Sequence, residues 1–312
     1  MPHSTIRTSH VLLPAFLLLT CGPLVQTVDA QSIAIIASDA SVGAVSQDGS
    51  VVYGSIHVGS GVRSAFRWTA SGGIQLLSGL GGASSYANGC DSAGSMAVGQ
   101  SNLLLVGDRP VRWDSTGQVF NLGLLPQHSQ GPGAFGFATD VSGDGLVVVG
   151  WTTADNSTYA RGFRWTALDG MTDLGILPSE SNNRWSYAYG VSGDGATIVG
   201  ASSVLLGRTH AFKWTSAMGM QDLGVLPGAV FSEAGSANHD GSVVVGRCSY
   251  PVPGGCCRVM SAFRWTSEVG MRDIGSLSDG PDAFALASDV SDDGSVVVGA
   301  SVTGSLSSVH PL

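Results

Sequence analysis

Charge is scarce in this 312-residue chain: only 12% of residues are Asp, Glu, Lys or Arg, and Lys213 is the single lysine among fourteen basic residues. With a net charge of -9 and no basic cluster, nothing could neutralise a nucleic-acid backbone or hold an anionic bilayer. Helical periodicity of useful length is missing after residue 30, so no helical domain is expected. Catalytic signatures are missing too: there is no Gly-x-Ser-x-Gly elbow, His-Glu-x-x-His or phosphate-binding loop. His57, His128, His210, His239 and His310 occupy unrelated places, and Glu180, Glu233 and Glu268 lie far apart. That scatter argues against an evolved catalytic centre, although distant loops can assemble one. The low hydrophobicity that marks disorder is absent as well, since 43% of residues are hydrophobic.

What the chain has is turn formers and β formers. There are 45 Gly and 12 Pro, with Val, Ser and Thr abundant, a composition that suits many short strands joined by tight turns. The first thirty residues read as a secretory signal peptide. Arg7 supplies the positive end, Val11 to Leu19 the apolar stretch, and Thr27-Val28-Asp29-Ala30 a small-residue cleavage site. The apolar stretch is too short for a transmembrane helix in the mature chain. Leu18-Leu19-Thr20-Cys21 is the lipoprotein alternative to a cleaved, secreted form. Residues 31–312 are expected to form a single β-repeat domain.

Two markers recur along that domain. One is an aromatic strand: Phe66-Arg67-Trp68, Val111-Arg112-Trp113, Phe163-Arg164-Trp165, Phe212-Lys213-Trp214 and Phe263-Arg264-Trp265. The other is a turn and strand such as Asp48-Gly49-Ser50-Val51-Val52-Tyr53-Gly54, repeated at Asp144-Gly145, Asp194-Gly195, Asp240-Gly241 and Asp293-Gly294, with a weaker copy at Asp91-Ser92-Ala93-Gly94. The units fall near 44–101, 102–152, 153–202, 203–248 and 249–301. Each contains four strand signals, shown by Gly162–Thr166, Met171–Leu174, Ala188–Ser192 and Ala196–Gly200. The first alternates like a half-buried strand, and the last is a β-branched run suited to burial on both faces. Asp-Gly between the third and fourth predicts a two-residue primed hairpin turn.

The fold expected is therefore all-β, a β-propeller-like array of five to six four-stranded units, with a parallel β-helix or solenoid as the alternative. The second marker occurs six times and the first five. The chain stops at Leu312, where a sixth aromatic strand would begin, so either a longer six-bladed chain or an open arc of five and a half units is expected.

The run His210-Ala211-Phe212-Lys213-Trp214-Thr215, then Gly219-Met220-Gln221-Asp222-Leu223-Gly224, then Val-Ser-x-Asp-Gly-Ser-Val-Val-Val-Gly resembles the HAF-type extracellular repeat of exported bacterial proteins. The resemblance spans residues 42–301, although the fourth repeat alone carries the His, with Ser64, Gly162 and Ser261 near that place elsewhere. It implies export and a β-rich repeat architecture in a secreted, periplasmic or cell-surface protein of a bacterium. It implies no catalytic residues, because no activity defines the family.

Candidate binding residues follow from the pattern. Arg67, Arg112, Arg164, Lys213 and Arg264 recur between the aromatics and would form a ring able to take an anionic ligand. The simpler reading pairs Arg164, Lys213 and Arg264 across strands with Asp173, Asp222 and Asp273, while Arg67 and Arg112 have Leu76 and Asn121 at that place and lack the partner. Asp140 and Asp144, like Asp289 and Asp293, carry the alternating oxygens of a calcium loop but lack its closing Glu, so turn chemistry accounts for them and no cofactor is expected. Cys90 replaces the Val of other repeats as a small buried hydrophobe. Cys248, Cys256 and Cys257 lie in an insertion, where Cys248 is expected to bond with Cys256 or Cys257.

The function expected is a structural or binding scaffold without enzymatic activity. Pro126–Phe135, Pro178–Tyr187 (with Asn182, Asn183 and Trp185) and the Cys insertion present a surface for a carbohydrate or protein partner. The alternative is a propeller hydrolase or lyase that gathers acids from several loops.

Overall fold

The computed structural model describes residues 39–59, 61–128, 133–154, 159–178, 184–251, 259–277, 284–302 and 309–311. All of them belong to one unit, Ile36–Leu312. The signal-peptide reading, Asn182, Asn183, Cys256 and Cys257 lie outside the described residues.

The repeat folds as an antiparallel meander. Sheet 1 contains β1 (Ala40–Val45), β2 (Val51–Gly59), β3 (Val62–Thr69) and β4 (Gly73–Leu76). Sheet 2 contains β5 (Gly81–Cys90), β6 (Ala97–Leu103), β7 (Gly107–Trp113) and β8 (Val119–Asn121). Sheet 3 contains β9 (Phe135–Val141), β10 (Val148–Thr153), β11 (Ala160–Thr166) and β12 (Gly170–Asp173). Sheet 4 contains β13 (Ser186–Val191), β14 (Thr197–Ser203), β15 (Thr209–Thr215) and β16 (Gly219–Asp222). Sheet 5 contains β17 (Phe231–Ala237), β18 (Val243–Tyr250), β19 (Val259–Thr266) and β20 (Gly270–Gly275). Sheet 6 contains β21 (Ala285–Val290), β22 (Val297–Val302) and β23 (Val309–Pro311).

The β-helix alternative fails. Strands within each sheet pair antiparallel, and the described parallel pairings are single bridges between neighbouring sheets, Thr209 with Phe231 and Met260 with Phe284. Six such meanders in sequence make a β-propeller, and the Asp-Leu-Gly-x-Leu-Pro segments at 173–178 and 222–227 lead into the first strands of sheets 4 and 5.

The Asp-Gly hairpin forms, but not as a two-residue primed turn. In sheet 3 the closing pair is Ser142 with Val147, whose carbonyl accepts the Ser142 N–H at 2.9 Å. Gly145 takes a φ of 75° and donates to the Ser142 carbonyl at 2.8 Å, while Asp144 keeps a negative φ. This is a four-residue loop with one left-handed glycine, and the Asp serves a different purpose. Its Oδ1 accepts the Leu146 N–H at 2.9 Å and the Ser142 hydroxyl at 2.6 Å, which ties the loop to itself.

The glycine ending each β-branched run is fixed by packing. A Cβ on Gly200 would overlap the Tyr187 carbonyl and stand 2.9 Å from Cε1 of Phe212, its cross-strand partner. Gly54, Gly99, Gly150, Gly246 and Gly299 meet the corresponding inner-strand carbonyl in the same way. Each lies beside a register shift in the inner strand, such as that between Ala188 and Gly190.

Apolar cores lie between successive sheets. Val51, Tyr53 and Leu77 of the first repeat meet Ala87, Val111 and Trp113 of the second. Equivalent clusters join sheets 2 and 3, 3 and 4, 4 and 5, and 5 and 6. The junction of sheet 6 with sheet 1 differs. Val45 is 56% exposed where its counterparts Val141 and Val191 are 5% and 6%, and Val296 is 57% exposed where Val147 is 7%. The turns nonetheless form a circuit of hydrogen bonds. Gln47 N donates to Ser92 O, Ser92 N to Gly143 O, Gly143 N to Gly193 O, Asp194 N to His239 O and His239 N to Asp292 O, at 2.9–3.2 Å. The Gln47 side-chain amide completes it on Asp292 Oδ2 at 2.8 Å. The seam is bridged at the turns, while valines on both sides of it stay exposed.

Candidate functional site

The inner strands β1, β5, β9, β13, β17 and β21 each pack beside the next. Ala87, Ala138, Ala188, Ala234 and Ala287 of these strands enter the cores between sheets. The alternate residues Phe137, Tyr187 and Glu233 are half-buried on the side of the central channel that a propeller's inner strands surround. On sheets 3 and 4 the channel positions are aromatic. Phe135 and Phe137 are edge-on at 5.6 Å, Phe137 meets Trp151 at 4.7 Å, and Trp151 meets Tyr187 of the next sheet edge-on at 4.9 Å. Trp185 lies 4.9 Å and Tyr189 6.1 Å from Tyr187, the latter stacked. All six rings are half-buried, so a continuous aromatic wall faces the lumen.

Sheet 5 adds a charged pair. Glu233 on β17 and Arg247 on β18 are cross-strand partners, and Glu233 Oε2 accepts Arg247 Nε at 2.8 Å and a second guanidinium N–H. A cavity of about 310 Å³ opens between Tyr189, Glu233, Arg247 and Leu286. A second of about 280 Å³ lies between Trp185, Phe231, Glu233, Arg247 and Met260. The ion pair stands between the two. Burial raises the Tyr189 phenol well above its usual range, and Tyr187 shifts the same way, so both remain neutral hydroxyls at any physiological pH.

Further along the channel, towards the turns, sits Asp140. Burial pushes its carboxyl up to about 7, opposed by the N–H groups of Val191 and Val141 and aided by the charge of Asp289. Part of its surface faces the lumen, but protein crowds it on every other side. Asp140 Oδ2 accepts Val191 N at 3.0 Å, and Oδ1 accepts Val141 N at 2.8 Å. Asp289 accepts its neighbour Val290 N at 2.9 Å and the Ser236 hydroxyl at 2.7 Å. Asp293 is held by its own turn, through Ser291 and Ser295, as Asp144 is. Among the described residues no three His, Cys, Asp or Glu side chains converge as a metal site.

The cations between the aromatics do not pair across strands as expected. In the register Arg164 faces Thr172, Lys213 faces Gln221 and Arg264 faces Arg272. Asp173, Asp222 and Asp273 sit opposite the Phe instead, which puts them on the other face of the sheet. Asp173 pairs there with Arg161 at 3.7 Å and Asp222 with His210 at 2.8 Å. Arg112, Lys213 and Arg264 reach the next sheet. Arg112 lies between the rings of Phe120 and Trp165, at 4.8 and 5.5 Å. Lys213 lies 5.6 Å from the Trp265 ring and donates to Gly241 O at 2.7 Å, and Arg264 donates to Gly294 O at 3.3 Å. Arg67 has its Nε buried without a partner. Arg112 and Arg164 also line a cavity of about 570 Å³ between the turns of sheets 2 to 4, where Arg164 meets Asp169 at 3.5 Å.

Cys90 packs against the core between sheets 1 and 2 but is only partly buried, short of the full burial expected of it, and burial still pushes its thiol up to about 12. Cys248 lies in the core between sheets 4 and 5, its sulfur 3.4 Å from that of Met271 and its thiol pushed up to about 11.

Trp185 was legible from the sequence as a surface aromatic, and the structure places it in the wall. Tyr187, Tyr189, Trp151, Glu233 and Arg247 were not picked out. The signal for the two tyrosines is in the sequence: Ser-Tyr-Ala-Tyr at 186–189 puts them at inner-strand positions where the first repeat has Ser41 and Gly43.

No family model matches the chain, and no curated protein does. Solved structures do. Prolyl oligopeptidase B from Galerina marginata matches at a TM-score of 0.54 and 11% identity, over 83% of this chain and 37% of that one. An oligogalacturonate lyase in complex with manganese matches at 0.52 and 13% identity, over 83% and 70%. TolB from Acinetobacter baumannii matches at 0.45 and 17% identity, over 76% of this chain and 57% of TolB. The chain spans well under two thirds of the peptidase and of TolB. At such identities the likeness shows the fold alone. The fold is a β-propeller.

Proposed function

We propose that this is an exported, non-enzymatic repeat protein of the HAF type, a scaffold in the periplasm or at the cell surface of a bacterium that holds a ligand at the aromatic end of its channel. The observation that carries the reading is the wall of Phe135, Phe137, Trp151, Trp185, Tyr187 and Tyr189, six half-buried rings in contact with one another across sheets 3 and 4. Apolar surface left against a lumen, with a few fixed polar groups beside it, is the composition of a small-ligand site. The inner strands that carry it are rigid, so little ordering cost falls on binding.

A thermal-shift screen of the full chain against sugar, peptide and protein ligands tests this. Ligands that raise Tm are expected to lose the effect in Tyr187→Ala. Ligands that stabilise that variant equally would move the site elsewhere.

A second reading, a hydrolase or lyase, has one observation in its favour: Asp140 near 7 beside the charge of Asp289 in the same channel. Against it, both Asp140 oxygens are engaged by backbone N–H groups, and Glu233 is paired with Arg247. Turnover of any bound ligand that disappears in Asp140→Asn would establish the second reading over the first.

A further inference from the structure

The chemistry of the wall narrows what it holds. Two features must be satisfied together: flat apolar faces in a curved row, and a polar side that carries no uncompensated charge. The rings supply the first. The cavities on either side of the Glu233–Arg247 pair, about 310 and 280 Å³, stand near the lower limit of small-molecule sites, ~300–1,000 Å³. Charge is balanced where the two cavities meet, because Glu233 takes two guanidinium N–H groups of Arg247. An anionic ligand would have to displace Glu233 from Arg247, and a cationic one Arg247 from Glu233. Either exchange leaves a half-buried charge without its partner. A purely apolar ligand would strand the polar atoms beside the rings. Ser249 and Thr209, which line the second cavity, add hydrogen-bonding groups.

We propose that the channel wall of Trp151, Trp185, Tyr187 and Tyr189, with the Glu233–Arg247 pair, binds a neutral oligosaccharide. A pyranose offers a flat C–H face to stack on a ring and an equatorial rim of hydroxyls, each able to donate and accept. The still-open lone pairs of Glu233 and the outward N–H groups of Arg247 match such hydroxyls while the pair stays intact. Trp185, Tyr187 and Tyr189, alternate residues with successive ring centroids 4.9 and 6.1 Å apart, set two or three stacking places in line, which fits a short chain of sugars better than a single one. This rests on the binding-scaffold reading above and assigns its ligand class.

The test uses the full chain and its own tryptophan fluorescence. Cellohexaose, maltohexaose, xylohexaose and chitohexaose are titrated as neutral probes and hexagalacturonate as the acidic one, with reducing ends assayed after incubation. At least one neutral probe is expected to bind, with affinity falling about tenfold in Trp151→Ala and in Tyr187→Phe by less than about threefold, since the ring remains. Raising salt from low to high is expected to change affinity less than about twofold, because no net charge is engaged. Leu168→Ala, on the far turn face, should bind as the parent does and guards against general unfolding. Binding of hexagalacturonate alone, with strong salt dependence, would overturn the ligand class and leave the scaffold standing. Binding accompanied by new reducing ends would overturn the non-enzymatic reading and leave the class standing. Failure of every sugar to bind folded protein would overturn the class.

Discussion

Replacing Gly200 by Ala adds one methyl group to a fully buried strand, and the surroundings decide its cost. The new Cβ would overlap the Tyr187 carbonyl, which is backbone, and lie 2.9 Å from Cε1 of Phe212, where ordinary contact begins at 3.4 Å. Phe212 is fully buried in the core between sheets 3 and 4, so its ring has no free direction. Relief requires strands β13 and β14 to separate, which breaks their ladder. Overpacking of this kind costs about 3 kcal/mol, an upper-range value because backbone must move. For a chain of this size that is a fall in Tm of about 5 °C. Gly170→Ala is the matched control: the site is open, and the penalty is the φ of 69° alone, about 1 kcal/mol. Differential scanning calorimetry on both variants reads the difference. Equal losses at the two sites would refute the argument that the repeat's final Gly is fixed by the inner-strand carbonyl.

Lys213→Met keeps the stem but removes the ammonium from Trp265 and Gly241 O, and should cost about 1 kcal/mol, seen as a lower denaturant midpoint. Gln47→Ala removes the described side-chain bond between sheets 1 and 6, and hydrogen exchange should quicken in β1 and β21 with little change in Tm. On pH, Asp140 rises to about 7 when folded, so the native state holds a proton that the unfolded chain releases; its contribution is favourable at low pH and fades as pH rises from about 4 to about 7. Asp48 and Asp293 are lowered to about 2, so their contribution is present above about 4 and lost as pH falls towards about 2. Asp140→Asn should therefore flatten the loss of stability between pH 4 and 7 in thermal melts, and an unchanged slope would contradict the burial assigned to Asp140.

Most of the architecture was legible because the repeat is regular. The β-branched run of each unit predicts burial on both faces, and β14 is buried from Thr197 to Ser203. That logic weakens at β22, where Val296 and Val298 stay exposed because the face they present meets no neighbouring core. The partners of the cations were misread for a reason of register. A hairpin of Phe-Arg-Trp with Met-x-Asp puts Asp opposite Phe, so the Arg and Asp side chains leave the sheet on opposite faces. The candidate site was harder. Tyr187, Trp151 and Arg247 belong to three different strands, and strand alternation alone does not say which alternate lines a channel and which enters a core. Residues such as Glu233 gain meaning when sheets 4, 5 and 6 are seen side by side.

The central claim is that the aromatic end of the channel is where a ligand is held. Hydrogen–deuterium exchange of the full chain, with and without the neutral hexasaccharide that quenches its tryptophans, tests that most directly. Protection is predicted in β9, β13 and β17, from Phe135, Ser186 and Phe231 inwards. Protection confined to the turns around Gly145, Leu168 and Gly195, at the 570 Å³ cavity, would contradict it.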